Sequence, residues 1–228
     1  MTATDARSLF FEQDITQSRP SNAEYKAAFE DRATEVIDPV PALQSPFILA
    51  LLGGPGSGKS WLADRLPDND HMVRLDIDRT TLWHPQWRLL LDDDPYTAPH
   101  RARSTALRFL INAKSRAIEL ARPILLEDCP QGGNWADSAF RPFIKAGWDI
   151  LVIPLDCPIK SALSRCQQRF DEWDPQHSPF PRSLNKSELE DASANLQVAL
   201  AQLATMPRVQ IISSDDWPNT AQSRQIMI

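Results

Sequence analysis

The sequence predicts an α/β fold, a three-layer sandwich around a parallel sheet of about five strands, with a lid loop and an N-terminal helical segment. Three observations predict it. Five short apolar runs alternate with helical stretches from position 46 onward, and strands that alternate with helices pair in parallel and are covered on both faces. Four of the seven glycines crowd into positions 53–58, so one loop needs backbone geometry that other residues resist. A proline-rich polar segment, 170–186, interrupts the helical pattern late in the chain, and a loop of that length inside a compact domain is usually functional.

Residues 1–45 form the N-terminal helical segment. Ser21 and Asn22 suit the cap of a helix through 23–37 whose Tyr25, Ala28, Phe29 and Ala33 share a face. That face reads as packing on the main domain, or as an arm for a partner. Pro39, Pro41 and Pro46 end it. The main domain, 46–228, carries strands at 47–53, 72–77, 123–128, 149–155 and 208–213. Its helices are expected at about 58–66, 101–121, 136–146, 158–172 and 186–205, with the lid at about 171–185.

The chain has 228 residues, 42% hydrophobic and 24% charged, the composition of a globular domain rather than a disordered segment. Lysine and arginine total 24 against 30 acids, a net charge of −6. Such a surface has no general attraction to phosphate backbones or anionic lipid, so neither nucleic acid nor membrane is expected as a partner. Three cysteines without a CxxC pair argue against a disulfide scaffold or a zinc ribbon, and fit a reducing compartment. The first residues build no apolar signal core and no stretch reaches 18 apolar residues, so the expected location is cytoplasmic.

Gly53-Gly54-Pro55-Gly56-Ser57-Gly58-Lys59-Ser60 fits the phosphate-loop pattern G-x-x-x-x-G-K-[ST] completely, between an apolar run and a helical one. Glycines let successive N–H groups converge on a phosphate, and the helix start adds its positive end. Lys59 is expected on the β- and γ-phosphates of ATP and Ser60 on Mg²⁺. The motif establishes nucleotide binding and not the reaction.

Acceptor chemistry is sought at the carboxyl ends of the strands, where open α/β sheets bind ligands. Asp76 and Asp78 end the second apolar run. On a strand they share a face, with Asp78 placed to accept a hydroxyl proton or to cap the next helix. Glu127 and Asp128 close the third run, as metal-organising or capping acids. Arg165 and Arg169 lie four residues apart on one helix, and Arg182 follows in the lid, where arginines can clamp a transferring phosphate. His84-Pro85, between Trp83 and Trp87, either lines an acceptor pocket or closes a loop onto the core. Arg101, Arg103, Arg108, Lys114 and Arg116 read as a solvated basic helix face.

These residues resemble the zeta toxin family, the kinase components of epsilon–zeta toxin–antitoxin systems. The resemblance runs from about Pro46 to Lys186: the phosphate loop, Leu75-Asp76-Ile77-Asp78 followed by His84-Pro85, Glu127, Ala146-Gly147-Trp148, Arg169 and Arg182. It implies a P-loop kinase-like domain that transfers the ATP γ-phosphoryl group to a sugar hydroxyl, UDP-N-acetylglucosamine being the best-known acceptor of the family. By residue it implies Lys59 and Ser60 on nucleotide and Mg²⁺, and Asp78 as general base. Glu127 would orient acceptor or metal, Asp76 and His84 fall on the acceptor side, and Arg169 and Arg182 fall on the phosphate. A neutralising antitoxin protein is the implied partner. The chain departs from the family where Ala98–Leu110 carries no carboxylate, where Asp128-Cys129 replaces a frequent Gly-Thr, and where Gly54 replaces a common glutamine. Those departures concern the acceptor, and leave open a metabolic or antibiotic-modifying kinase using a nucleotide or dinucleotide, and a nucleotide-gated interaction protein.

Overall fold

The computed structural model describes residues 18–66, 69–173, 184–213 and 215–217. Five strands, β1 (Phe47–Leu52), β2 (Val73–Leu75), β3 (Ile124–Asp128), β4 (Asp149–Pro154) and β5 (Val209–Ile211), form one parallel sheet in the order β2-β3-β1-β4-β5. All six residues of β1 are buried, as a central strand flanked on both edges and covered on both faces requires. Its register sets Leu52 beside Asp128 on one side and Pro154 on the other, so three strand ends meet at one level. The strand order reverses around β1, and the crevice above such a reversal is where these sheets take ligands.

Eight helices are described: α1 (Asn22–Val36), α2 (Lys59–Ala63), α3 (Ile77–Thr81), α4 (Trp87–Asp93), α5 (Ala98–Glu119), α6 (Trp135–Lys145), α7 (Ile159–Asp171) and α8 (Lys186–Leu203). The period-2 alternation of the strands divides the core into two layers. Ile48, Ala50, Ile124, Leu126, Ile150 and Val152 pack with α5, α6 and α8. Phe47, Leu49, Leu51, Leu125, Leu151 and Ile153 pack with Ala63 and Leu66 after the phosphate loop, and with Trp217. Full burial of each Leu or Ile side chain is worth about 1.5–3 kcal/mol.

The N-terminal segment is part of the first layer. Ser21 and Glu24 close a capping box on α1. Tyr25 stacks on Phe109 with ring centroids 4.4 Å apart, takes the Arg108 guanidinium on its other side, and accepts a 2.8 Å hydrogen bond from Asn112. Arg116 pairs with Asp38 just beyond α1, and Arg101 with Asp93 of α4. The helix face expected to be merely solvated is therefore largely engaged: Arg101, Arg108 and Arg116 tie α4 and the N-terminal segment to α5.

The strand expected over 72–77 stops at Leu75. Asp76, extended at φ −153° and ψ 166°, accepts the Arg79 N–H at 2.7 Å and caps α3. A carboxylate that satisfies an orphan helix donor outcompetes the ladder for the backbone. Asp76 and Asp78 thus occupy the N-cap and first turn of a short helix, not one face of a strand.

Candidate active site

The phosphate loop hangs between β1 and α2. Gly53 N–H donates to Asp128 O at 3.2 Å and Leu155 N–H to Leu52 O at 2.7 Å, which pins the loop to the ends of β3 and β4. Gly56 at φ +74° and Gly58 at φ +98° lie in the left-handed region, where a side chain is strained. Lys59 Nζ donates to the carbonyls of Gly53 and Gly54 at 2.8 and 2.9 Å, so its ammonium is folded over the loop. Ser57 Oγ is buried with no hydrogen-bond partner. A buried hydroxyl without a partner calls for one, and a phosphate oxygen seated in the loop supplies it. From α7, Arg165 donates to Gly56 O at 3.0 Å and braces the loop from outside.

Ser60, second residue of α2, donates its hydroxyl proton to Glu127 Oε2 at 2.7 Å. The other carboxylate oxygen, Oε1, accepts from Arg74 Nε at 2.7 Å, and Arg74 Nη1 pairs with Asp64. With its proton committed to Glu127, the Ser60 oxygen keeps its lone pairs for a cation. Among the described residues no group of three or more His, Cys, Asp or Glu side chains could hold a metal by itself.

β3 ends in two carboxylates that alternation sends to opposite faces. Glu127 faces α2, whereas Asp128 faces α5 and Lys114. Burial pushes the Asp128 pKa up, while Lys114, the Cys129 N–H at 2.8 Å, Lys59 and Arg103 pull it down. Burial likewise pushes the Lys114 ammonium below its usual range, opposed by Asp128. Register places Asp76 one step beyond the Leu75–Leu126 pair, level with Glu127. Burial first, then the charges of Asp78 and Glu127, raise Asp76 to about 6, although the Arg79 N–H and guanidinium act against them. Both Asp76 oxygens are engaged, one by Arg79 N at 2.7 Å and one by Arg79 Nε at 3.2 Å. Asp78 lies half-buried in the first turn of that same helix.

The fold thus gathers Lys59, Ser60, Glu127, Asp76 and Asp78 around the ends of β1, β2 and β3. His84 goes elsewhere. It is buried against the N-terminal segment, where its Nδ1 accepts from Gln86 N at 3.2 Å, and burial lowers its pKa. Arg169 is exposed in the last turn of α7. Arg182 and most of the expected lid, 174–183, lie outside the described residues; just before them Trp173 packs on Tyr96, ring centroids 5.3 Å apart, across the two loops. Sequence reasoning passed over Arg74 and misassigned Lys114. Each left a signal: an arginine inside the apolar run of β2, and a lysine bordering the Leu110, Ala113 and Ala117 stripe of α5. Charges in such positions need partners.

A parallel 2-3-1-4-5 sheet with a phosphate loop after its central strand defines the class as P-loop α/β proteins of the kinase fold. Within that class, the chain belongs to the zeta toxin family, whose model matches residues 30–222. A solved chain from the PezAT chromosomal toxin–antitoxin system of Streptococcus pneumoniae superposes with a TM-score of 0.68 at 16% identity, covering 86% of this chain and 80% of that one. The AvrRxo1-ORF1:ORF2 complex with ATP gives 0.60 at 12% identity, covering 84% and 62%. A putative kinase from Chloroflexus aurantiacus gives 0.51 at 14% identity, covering 81% and 96%. At these identities the structural likeness speaks for the fold. No match is found among curated proteins. Among the described residues no helix is long and apolar enough to cross a membrane.

Proposed function

We propose that this chain is an ATP-dependent kinase that moves the γ-phosphoryl group onto a hydroxyl of a small acceptor, foremost a nucleotide-activated sugar such as UDP-N-acetylglucosamine. The observation that carries the reading is the alignment of Lys59, Ser60 and Glu127 at the loop with Asp78 one helix turn from the adjoining strand end. Lys59 leaves the Gly53 and Gly54 carbonyls to meet the phosphates, and Ser57 Oγ gains the acceptor it lacks. Ser60 would hold Mg²⁺, which would supply charge neutralisation to the ATP phosphates. Asp78 takes the acceptor hydroxyl proton as the new O–P bond forms and the bond to the β-phosphate oxygen breaks, releasing ADP. In a loose transition state much of its work is aiming that hydroxyl. Arg169 and Arg182 are assigned to the transferring phosphate, and an antitoxin protein to the role of partner.

A second acceptor class has a specific observation behind it. On the face of β3 opposite Glu127, this chain sets Asp128 against Lys114, where the family resemblance leads one to expect Gly-Thr after the glutamate. That departure is what keeps a nucleotide or dinucleotide acceptor as the second reading. Incubation with γ-labelled ATP and either UDP-N-acetylglucosamine or a bacterial metabolite extract separates the readings. Label on the UDP-sugar supports the first acceptor, and label on another nucleotide the second. ATP binding without transfer to anything in the extract refutes the kinase reading in favour of a nucleotide-gated interaction protein.

A further inference from the structure

We propose that Arg74 is a positioning residue of the phosphotransfer site: by holding one oxygen of Glu127 it aims the other at Ser60, and so presets the serine oxygen for the metal that accompanies the nucleotide. The inference rests on the kinase reading above. Its basis is a closed ring of contacts. Ser60 and Asp64 lie four residues apart on the helical segment that follows the phosphate loop. Ser60 donates to Glu127 at 2.7 Å, Glu127 accepts from Arg74 at 2.7 Å, and Arg74 returns to Asp64. Three elements with no adjacent residues in sequence, the loop helix, β2 and β3, are locked by one guanidinium.

The details favour aim over bulk stabilisation. The Glu127 side chain is 4% exposed, so its orientation is fixed by partners and not by water. The guanidinium fork spends Nε on Glu127 and Nη1 on Asp64, two directions that a planar group fixes together and a lysine ammonium does not. Arg74 also supplies the positive charge that lets Glu127 share a small region with Asp76 and Asp78. A surface-only role would need just the Asp64 contact, whose carboxylate is mostly exposed. Arg74 enters from the edge strand and spends its fork on Glu127 and Asp64, so it acts on the site through Glu127.

Calorimetric titration of ATP, with Mg²⁺ and separately with EDTA, tests this on the full chain. In wild type, Mg²⁺ should tighten ATP binding. Arg74→Lys keeps the charge and loses the fork, and should reduce that metal-dependent gain about tenfold while leaving affinity in EDTA within twofold. In a Glu127→Gln background the same Arg74→Lys change should add almost nothing, because the group it aims no longer carries its charge. Arg74→Met leaves Glu127 buried without its cation and is expected to fold poorly, so the Arg74→Met/Glu127→Gln pair serves as a second, neutral variant and should match Glu127→Gln alone. A wild-type gain in Arg74→Lys, an equal loss with and without metal, or additive effects in the two backgrounds overturns the proposal. Wild type that binds ATP with no gain from Mg²⁺ overturns it too, yet leaves nucleotide binding standing. Wild type that binds no ATP removes the kinase reading itself.

Discussion

Replacing Gly56 by alanine probes how closely the phosphate loop is fitted to its surroundings. The left-handed backbone at φ +74° costs a non-glycine residue about 1–2 kcal/mol. The new methyl would also lie 2.6 Å from Ala162 O and 3.1 Å from Cys166 Sγ, both on α7. Ordinary contact begins near 3.4 Å, so loop and helix must separate by about 0.8 Å at a backbone atom that cannot swing aside. That movement strains the Arg165 bond to Gly56 O, a charge-assisted contact worth about 1.5–3 kcal/mol. The sum is about 2.5–5 kcal/mol, divided between lost stability and lost nucleotide affinity. Gly133 isolates the backbone term, since at φ +71° a methyl there meets nothing within 4 Å. Urea unfolding of both variants, with ATP calorimetry, is the assay. Gly56→Ala should lose about 2 kcal/mol more than Gly133→Ala, or show the equivalent of about 30-fold weaker ATP binding. Equal losses in the two variants, with ATP affinity unchanged, would refute the steric argument.

Asp76 sets a pH dependence. Its folded pKa of about 6 exceeds the ordinary 3.8. The folded state therefore holds the proton more tightly than the unfolded one, and stability falls as pH rises from about 4 to about 6 and stays lower above. Asp76→Asn keeps a good cap and removes that fall. Its Tm should exceed wild type at pH 7, by the equivalent of at most about 3 kcal/mol, and parallel Tm–pH curves for the two proteins would count against the burial argument. Lys59→Ala should leave the Tm almost unchanged and lower phosphotransfer by about 10²–10³-fold, the scale of one preorganised donor, measured with labelled ATP. Lys114→Gln leaves Asp128 buried without its nearby cation and should lower the Tm in thermal unfolding, and an unchanged Tm would show that the two do not depend on each other.

Much of the fold was legible because its signals are local. The six apolar residues of β1, the glycine-rich loop and the helix beyond it each announce themselves within a few positions, and the capping pair Ser21 and Glu24 marks the start of α1. The end of β2 was misread because Leu-Asp-Ile-Asp alternates like a strand, and only the Arg79 N–H, three residues on, decides for a helix cap. Within the site, Glu127 was legible as an acid ending an apolar run. Arg74 was not, since its meaning depends on two carboxylates 10 and 53 residues away. The basic run of α5 misled for the same reason: Asp38, Tyr25 and Asp128 give its cations their work, and none of them is near in sequence.

The central claim is phosphoryl transfer with Asp78 receiving the acceptor proton. Single-turnover transfer from γ-labelled ATP, compared between wild type and Asp78→Asn beside calorimetric ATP affinity, tests it most directly. The account predicts that Asp78→Asn binds ATP within a few-fold of wild type and transfers about 10²–10⁴-fold more slowly, the usual cost of losing a general base. A wild-type transfer rate in Asp78→Asn would contradict it.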